Sequence, residues 1–151
     1  MKTFFVYTDG GASGNPGPAG IGAVAKLKSK NPPGGEAGEK LKTIFTISQN
    51  IGKATNNQAE YKALIKAMQE LKKISDDKSE YQFFLDSELI VNQMNLKYKI
   101  KHPELQPLFL KAHNLATKLS NVKFNYIPRE QNREADRLVK KAILKGKNEK
   151  T

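Results

Sequence analysis

The sequence contains no cysteine and only two histidines in 151 residues. The absence of cysteine excludes disulfides, thiolate metal sites and cysteine nucleophiles, and two histidines do not favour a histidine-rich metal centre. No apolar run approaches the ~20 residues that a membrane-spanning helix requires. The amino-terminal stretch MKTFFVYTDGG lacks the long apolar segment of a signal peptide. We interpret it as a first strand, and we expect a cytoplasmic protein with no membrane partner.

Acidic residues are scarce relative to basic ones. The chain has 15 Asp and Glu against 26 Lys and Arg, which gives a formal net charge of +11. This excess favours a polyanionic partner such as nucleic acid. The length suits one domain, and 38% hydrophobic residues suffice for a core. We expect this domain to cover residues 1–145, and residues 146–151 to form a basic, disordered tail.

Hydrophobic periodicity predicts five strands and four helices. The predicted strands are 3–8, 21–27, 41–48, 81–85 and 122–127, and the predicted helices are 57–74, 87–94, 104–119 and 132–144. The first three strands suggest an antiparallel meander, with a long hairpin loop at 28–40. Strands that alternate with helices in the second half imply parallel pairing. The predicted fold is therefore α/β, a mixed five-stranded sheet covered by helices.

Four carboxylates fall in suggestive places. Asp9 and Asp86 each follow an apolar strand, and ligands of α/β sheets bind beyond the carboxyl ends of parallel strands. The alternative is that each Asp only caps or turns the chain. Glu60 continues the apolar stripe of helix 57–74 backward, where burial would require a cation, hydrogen bonds or a proton; alternatively it is solvated. Asp136 lies at the margin of the last helix's apolar stripe, where a solvated side chain is the alternative.

If these four acids converge on one edge of the sheet, they form a site for a hard cation. Carboxylate oxygens with no cysteine and almost no histidine select Mg²⁺ or Mn²⁺. Two such ions about 4 Å apart serve in-line phosphodiester cleavage. A basic surface combined with carboxylate-bound metal therefore predicts a nuclease.

The glycine-rich segment DGGASGNPGPAG at 9–20 resembles a phosphate loop only superficially, because it does not match GxxxxGK[ST] and no helix follows it. We expect a tight hairpin whose glycines let the backbone approach a ligand closely. Thr55, Asn56 and Asn57 are good helix caps. Alternatively, this helix start offers amide groups to a phosphate or a sugar.

The blocks TDGGASGNPGPAGIG, TNNQAEY, LDSELIVNQ and PREQNREADRL resemble type 1 ribonuclease H in order and spacing, across residues 3–144. The resemblance implies the strand order 3-2-1-4-5 and an endonuclease that cuts the RNA strand of RNA/DNA hybrids. The implied products carry 5′-phosphate and 3′-hydroxyl ends, and the implied cofactors are two Mg²⁺ ions, for which Mn²⁺ can substitute. The implied metal ligands are Asp9, Glu60, Asp86 and Asp136. The implied substrate contacts are Gly10, Gly11, Gly14, Asn15, Thr55, Asn56 and Asn57.

The chain departs from many family members in one connection. Residues 127–132 contain no histidine where those members carry a catalytic histidine loop, so the chain is similar to the histidine-lacking subgroup, with Arg129 or Glu130 as candidate substitutes. Two alternatives stay open: a non-catalytic nucleic-acid-binding module on the same fold, and a nuclease that also cuts double-stranded RNA. Retention of all four acids favours an enzyme, and we expect a monomer.

Overall fold

The computed structural model describes residues 2–29, 40–76 and 78–149. They form one five-stranded sheet with the order β3-β2-β1-β4-β5 and four helices, which confirms the predicted fold and strand order. The strands are β1 (Thr3–Ala12), β2 (Gly17–Ser29), β3 (Lys40–Ala54), β4 (Glu80–Leu85) and β5 (Val122–Tyr126). The helices are α1 (Asn56–Ile74), α2 (Glu88–Met94), α3 (Gln106–Leu119) and α4 (Arg133–Glu149), with short 3₁₀ turns at Pro103–Leu105 and Arg129–Gln131.

The pairing directions place two strand ends at one edge. β1 is antiparallel to β2, and β2 is antiparallel to β3. β1 is parallel to β4, which is parallel to β5. The last pair between β1 and β4 joins Tyr7 to Phe84, so Asp9 and Asp86 both lie just beyond it. The predicted meander and parallel half are thus confirmed, and together they bring these two acids to the same edge.

The core lies between the sheet and α1. Side chains of α1 at Tyr61, Leu64 and Met68 are fully buried and belong to one hydrophobic cluster with Val6 and Phe83 of the central strands. α3 packs against α1 on this side, whereas α4 packs mainly on β2 and β3. The apolar positions of α1 are buried as far as Leu71, which fixes the orientation of this helix on β1, while Ile74 at its end is exposed. No helix in the described ranges has the length and apolar character needed to cross a membrane.

Four elements extend beyond their predicted ends. β1 continues from 8 to Ala12, so that Asp9 lies within this strand, and β2 covers Gly17–Ser29 rather than 21–27. β3 continues to Ala54 rather than ending at 48, and α4 continues to Glu149. Residues 146–149 of the predicted tail thus lie at the end of this helix, while 150 and 151 lie outside the described residues. α4 continues because Gly146 packs directly on the Asn50 side chain and Lys147 Nζ donates to Ser13 Oγ over 3.2 Å. Of the predicted hairpin loop 28–40, residues 30–39 lie outside the described residues.

β1 and α1 approach each other most closely at Gly10. A Cβ atom at this position would overlap the Ala59 backbone carbonyl and the Glu60 amide nitrogen. Only glycine, which has no Cβ, permits this approach. The contact places Glu60, in the second turn of α1, directly against the strand that carries Asp9.

We expect Gly10→Ala to lower the free energy of unfolding by about 1–3 kcal/mol, because the added methyl group pushes α1 away from β1. Gly11→Ala is the matched control, since a Cβ there meets only Val139 Cγ1 at 3.5 Å and Asn56 Oδ1 at 3.9 Å. Urea unfolding at neutral pH compares the two variants. Equal stability of the variants would contradict the close packing at Gly10.

Candidate metal centre at the carboxyl ends of β1 and β4

Three acids from different parts of the chain converge at this edge. Asp9, Glu60 and Asp86 each direct a carboxylate oxygen into a group whose members all lie within 4.8 Å of one another. Asp9 is only 4% exposed and Glu60 only 6%, while Asp86 is partly buried. Of the two interpretations of Glu60, burial rather than solvation is therefore correct.

Local sequence explains how each acid is positioned. The Thr55 hydroxyl accepts from the Gln58 amide and the Gln58 side chain accepts from the Thr55 amide, a capping box that fixes the start of α1 ahead of Glu60. Ser87 caps α2 by accepting from the Ile90 amide. Asp86 is therefore not needed as a cap, and its carboxylate is available to the cluster.

The electrostatics of the cluster are unfavourable for three negative charges. Burial, opposed by a hydrogen bond with Glu60 and aided by the charges of Asp86 and Asp136, raises the pKa of Asp9 to about 7. Burial and the neighbouring Asp9 carboxylate hold the pKa of Glu60 well above its usual range. Burial also raises the pKa of Asp86, against the opposing hydrogen bond from Asn132. The cluster therefore needs protons or cations to compensate its charge.

The residues fit a hard divalent cation. Glu60 Oε2 is buried without a hydrogen-bond partner, although the Gly10 amide donates to the same carboxylate. A buried carboxylate oxygen without a partner is costly unless a proton or a cation binds it. Every ligand atom in the group is oxygen, which matches the preference of Mg²⁺ and Mn²⁺.

The fourth predicted acid lies beside this group rather than within it. Asp136 lines the same cleft of about 320 Å³ as the three converging acids, and its Oδ2 forms an ion pair with Lys140 Nζ at 3.0 Å. Its charge still acts on Asp9 and Asp86. The pair with Lys140, an exposed side chain, engages one of the two carboxylate oxygens of Asp136.

The predicted substrate residues divide between two adjoining clefts. Gly10, Gly11, Asn56 and Asn57 line the acidic cleft. A second cleft of about 200 Å³ is lined by Asn15, Thr55, Asn57, His102, Glu104 and Leu105. Asn57 lies between the two. Gly14 lines neither cleft, and its φ of +98° is a conformation that favours glycine in the turn between β1 and β2.

Two of these residues also hold the β1–β2 turn against α1. Asn56 Oδ1 accepts from the Ala12 amide at 2.8 Å, and Asn15 Oδ1 accepts from the Asn56 amide at 3.0 Å. Their side-chain oxygens are thus engaged within the protein. Contacts of these side chains with a substrate consequently fall to their amide N–H groups.

Two further polar residues lie at the site: Arg129, which was predicted only as a candidate substitute for the missing histidine, and Asn132, which was not predicted. Arg129 lines the acidic cleft, and its positive charge lowers the pKa of Asp9 and of Asp86. Asn132 is buried and its Nδ2 donates to Asp86 Oδ2 at 3.1 Å. The only sequence signal for either was its place in the block PREQNREADRL, just ahead of the last helix.

We expect Asp9→Asn to stabilise the metal-free protein at pH 8. Between about pH 4 and pH 7, Asp9 is protonated in the folded protein and ionised in the unfolded chain. The contribution of Asp9 to the free energy of unfolding therefore falls as pH rises through this window, and it stays low above pH 7. The neutral amide removes this penalty, by roughly 1–3 kcal/mol since one pKa unit corresponds to about 1.4 kcal/mol. Thermal unfolding with chelator measures the effect.

The stabilisation by Asp9→Asn should be smaller at pH 5, where Asp9 of the wild type is already protonated in the folded protein. Glu130→Gln, which removes an exposed acid of the neighbouring 3₁₀ turn, is the control and should change little at either pH. Destabilisation by Asp9→Asn at pH 8 would contradict the repulsive cluster.

Comparisons with known proteins agree with this geometry. Residues 7–142 match the family described as reverse transcriptase-like. A bifunctional protein of Mycobacterium tuberculosis is 37% identical over 139 residues, which cover 91% of this chain and 35% of that protein. Ribonuclease HI of Halobacterium salinarum is 34% identical over 137 residues, which cover 91% of this chain and 62% of that protein. The chain thus spans about a third to two thirds of the length of these relatives.

One solved relative matches over nearly its whole length. LC11-RNase H1, isolated from compost by a metagenomic approach, superposes with a TM-score of 0.82 at 43% identity, covering 97% of this chain and 99% of that one. The same protein in complex with an RNA/DNA hybrid gives 0.79 at 42% identity, covering 95% and 98%. Given this likeness, the family match and the acidic cleft, the chain belongs to the reverse transcriptase-like family and, within it, to type 1 ribonuclease H.

Proposed function

We propose that this protein is a metal-dependent endoribonuclease that hydrolyses the RNA strand of RNA/DNA hybrids. The observation that carries the proposal is the convergence of Asp9, Glu60 and Asp86, two of them buried, within 4.8 Å. The likeness to LC11-RNase H1, which has been solved with an RNA/DNA hybrid, supports the substrate. The net charge of +11 suits a nucleic-acid duplex.

The proposed ligands are Asp9, Glu60, Asp86 and Asp136, for two Mg²⁺ ions that Mn²⁺ can replace. When bound, such ions activate the attacking water and stabilise the leaving oxygen, which yields 5′-phosphate and 3′-hydroxyl ends. The side chains supply fixed oxygen ligands, and the free energy that buries them comes from folding rather than from metal binding. Glu60 contributes most to this preorganisation because α1 holds it against β1.

The residues around the acids bind and orient the duplex. Backbone groups of Gly10 and Gly11 and the side-chain amide of Asn56 line the cleft, where they can meet ribose 2′-hydroxyls. These hydroxyls are what distinguish RNA from DNA chemically. Arg129, an exposed cation in the same cleft, is suited to a phosphate next to the scissile bond.

The second cleft is suited to a phosphate of the DNA strand. Thr55, Asn57 and Asn15 bring hydroxyl and amide groups together at the start of α1, where the helix dipole favours an anion. Because Asn57 borders both clefts, a duplex that occupies one cleft is placed next to the other. The protein would then hold both strands at once.

A non-catalytic binding module is disfavoured by the energetics of the cluster. Burial and neighbouring acidic charges raise the pKa values of Asp9 and Glu60, a cost in stability at neutral pH that a module that only binds nucleic acid has no reason to bear. Cleavage of double-stranded RNA, the monomeric state and a cytoplasmic location stay predictions.

We expect Asp9→Asn to reduce the rate of cleavage of a labelled RNA/DNA hybrid in Mg²⁺ by at least about 100-fold, because a charged ligand is lost. Hybrid affinity measured in chelator should change less than about threefold, since phosphate contacts dominate binding. RNA duplex and DNA duplex serve as comparison substrates, and Glu70→Gln is the matched variant, since it removes an acid of α1 that pairs with Lys66 and Lys73 and lines neither cleft. Residual turnover near the wild-type rate would refute the assigned ligand.

We also expect the logarithm of the association constant for the hybrid to fall linearly with the logarithm of the salt concentration, because Lys and Arg displace counterions from phosphates. Arg129→Ala should weaken binding and lower the slope by about 1. Lys72→Ala removes a cation from the last turn of α1, far from both clefts, and should leave the slope unchanged. Equal slopes for the wild type and Arg129→Ala would show that Arg129 does not contact a phosphate.

A further inference from the structure

Asn132 connects three elements at the edge of the sheet. It lies in the link between the 3₁₀ turn Arg129–Gln131 and α4, and it is 1% exposed. Its Nδ2 donates to the backbone oxygen of Thr8 at 2.9 Å and to Asp86 Oδ2 at 3.1 Å. Its backbone oxygen accepts from the Asp136 amide at 3.1 Å. The side-chain amide of Asn132 thus links the residue before Asp9 to the acid after β4, and its backbone oxygen joins both to the first turn of α4.

The two hydrogen bonds of the Asn132 side chain connect β1 to the residues after β4 at a point where the backbone pairing of these strands has ended. The ladder between β1 and β4 ends at Tyr7 and Phe84, one residue before Thr8 and two before Asp86. Beyond that point no described strand pair holds the two chain ends together. The planar amide of Asn132 spans them, and both of its hydrogens are used.

The side chain does not serve as an ordinary helix cap. A capping Asn would accept from an amide of the first turn through its oxygen, whereas Asn132 Oδ1 is buried without a hydrogen-bond partner. Rotating the amide by 180° would place this oxygen against the Thr8 oxygen and the Asp86 carboxylate, so the observed orientation is the favourable one. A buried oxygen without a partner is costly, which indicates that the donor contacts are what the position requires.

We propose that Asn132 is a positioning residue that sets the separation of the Asp9 and Asp86 carboxylates for divalent-cation binding. The proposal rests on the proposed metal-dependent function. By holding Asp86 Oδ2, Asn132 fixes the rotation of this carboxylate and therefore the direction of its other oxygen. By holding Thr8, it also fixes the backbone from which Asp9 projects. Partners behind the ligands commonly tune metal sites in this way.

The chain contains a matched control in Asn125 of β5. Asn125 Nδ2 donates to Gln82 Oε1 at 3.0 Å and to the Phe83 oxygen at 3.1 Å. It therefore makes the same combination of one side-chain and one backbone contact to a neighbouring strand. Neither of its acceptors is one of the four acids, so its loss tests the structural part of the role alone.

The test is calorimetric titration of Mn²⁺ and of Mg²⁺ into the full chain without substrate. We expect Asn132→Ala to weaken binding about 10–100-fold, and Asn125→Ala to stay within about twofold of the wild type. Asn132→Leu keeps the branched shape of the side chain and removes both the buried oxygen and the amide donor, so it should stay folded while weakening binding to the same degree. Thermal unfolding of each variant verifies that it is folded at the titration temperature.

Each outcome decides a different point. If the wild type binds and both folded Asn132 variants bind equally well, the positioning role is overturned and the proposed function stands. If the wild type itself binds neither ion, the metal-dependent function fails, and the positioning role fails with it. If neither variant folds, the side-chain amide signals of Asn132 in the wild type decide by NMR. They should shift as Mg²⁺ saturates the site while those of Asn125 do not, and no shift at saturation would overturn the proposal.

Discussion

Repulsion between buried carboxylates is the constraint around which this edge of the molecule is organised. Asp9 and Glu60 are both almost fully buried, and burial raises both pKa values. The Asp9 carboxylate raises the pKa of Glu60 further, and the Asp86 charge raises both. The protein carries an excess of 11 positive charges, yet it concentrates acids at one place. The packing of α1 on β1 at Gly10 enforces this arrangement, and the hydrophobic core beneath it supplies the free energy that keeps the acids together. A cation bound at this site would relieve the repulsion.

The surrounding structure combines rigid support with open access. Strand pairing fixes Asp9, and the capping box of α1 fixes Glu60. Asp86 lies between the end of β4 and Ser87, the residue that caps α2. The turn between β1 and β2 is tied to α1 by hydrogen bonds of Asn15 and Asn56, and Asn15 also lines the second cleft. The same few contacts therefore stabilise the fold and shape the surface that would receive a duplex.

Much of this architecture could be predicted from the sequence. Periodicity identified the five strands and four helices, and apolar strands followed by acids identified Asp9 and Asp86. The burial of Glu60 could not be decided from the helical stripe, because a stripe may end at its first turn; the close approach at Gly10 decides it. The extension of α4 depends on contacts with Asn50 and Ser13, which are remote in sequence. Asn132 was missed for the same reason, since both of its acceptors lie far away in the chain.

The most direct measurement of the central claim is the anomalous scattering of crystals of this protein soaked in Mn²⁺. The account predicts an anomalous peak within coordinating distance of the Asp9 carboxylate and of at least one of Glu60 and Asp86, at the point where Glu60 Oε2 now lacks a partner. Manganese that binds elsewhere on the surface at saturating concentration, with this cleft empty, would contradict it.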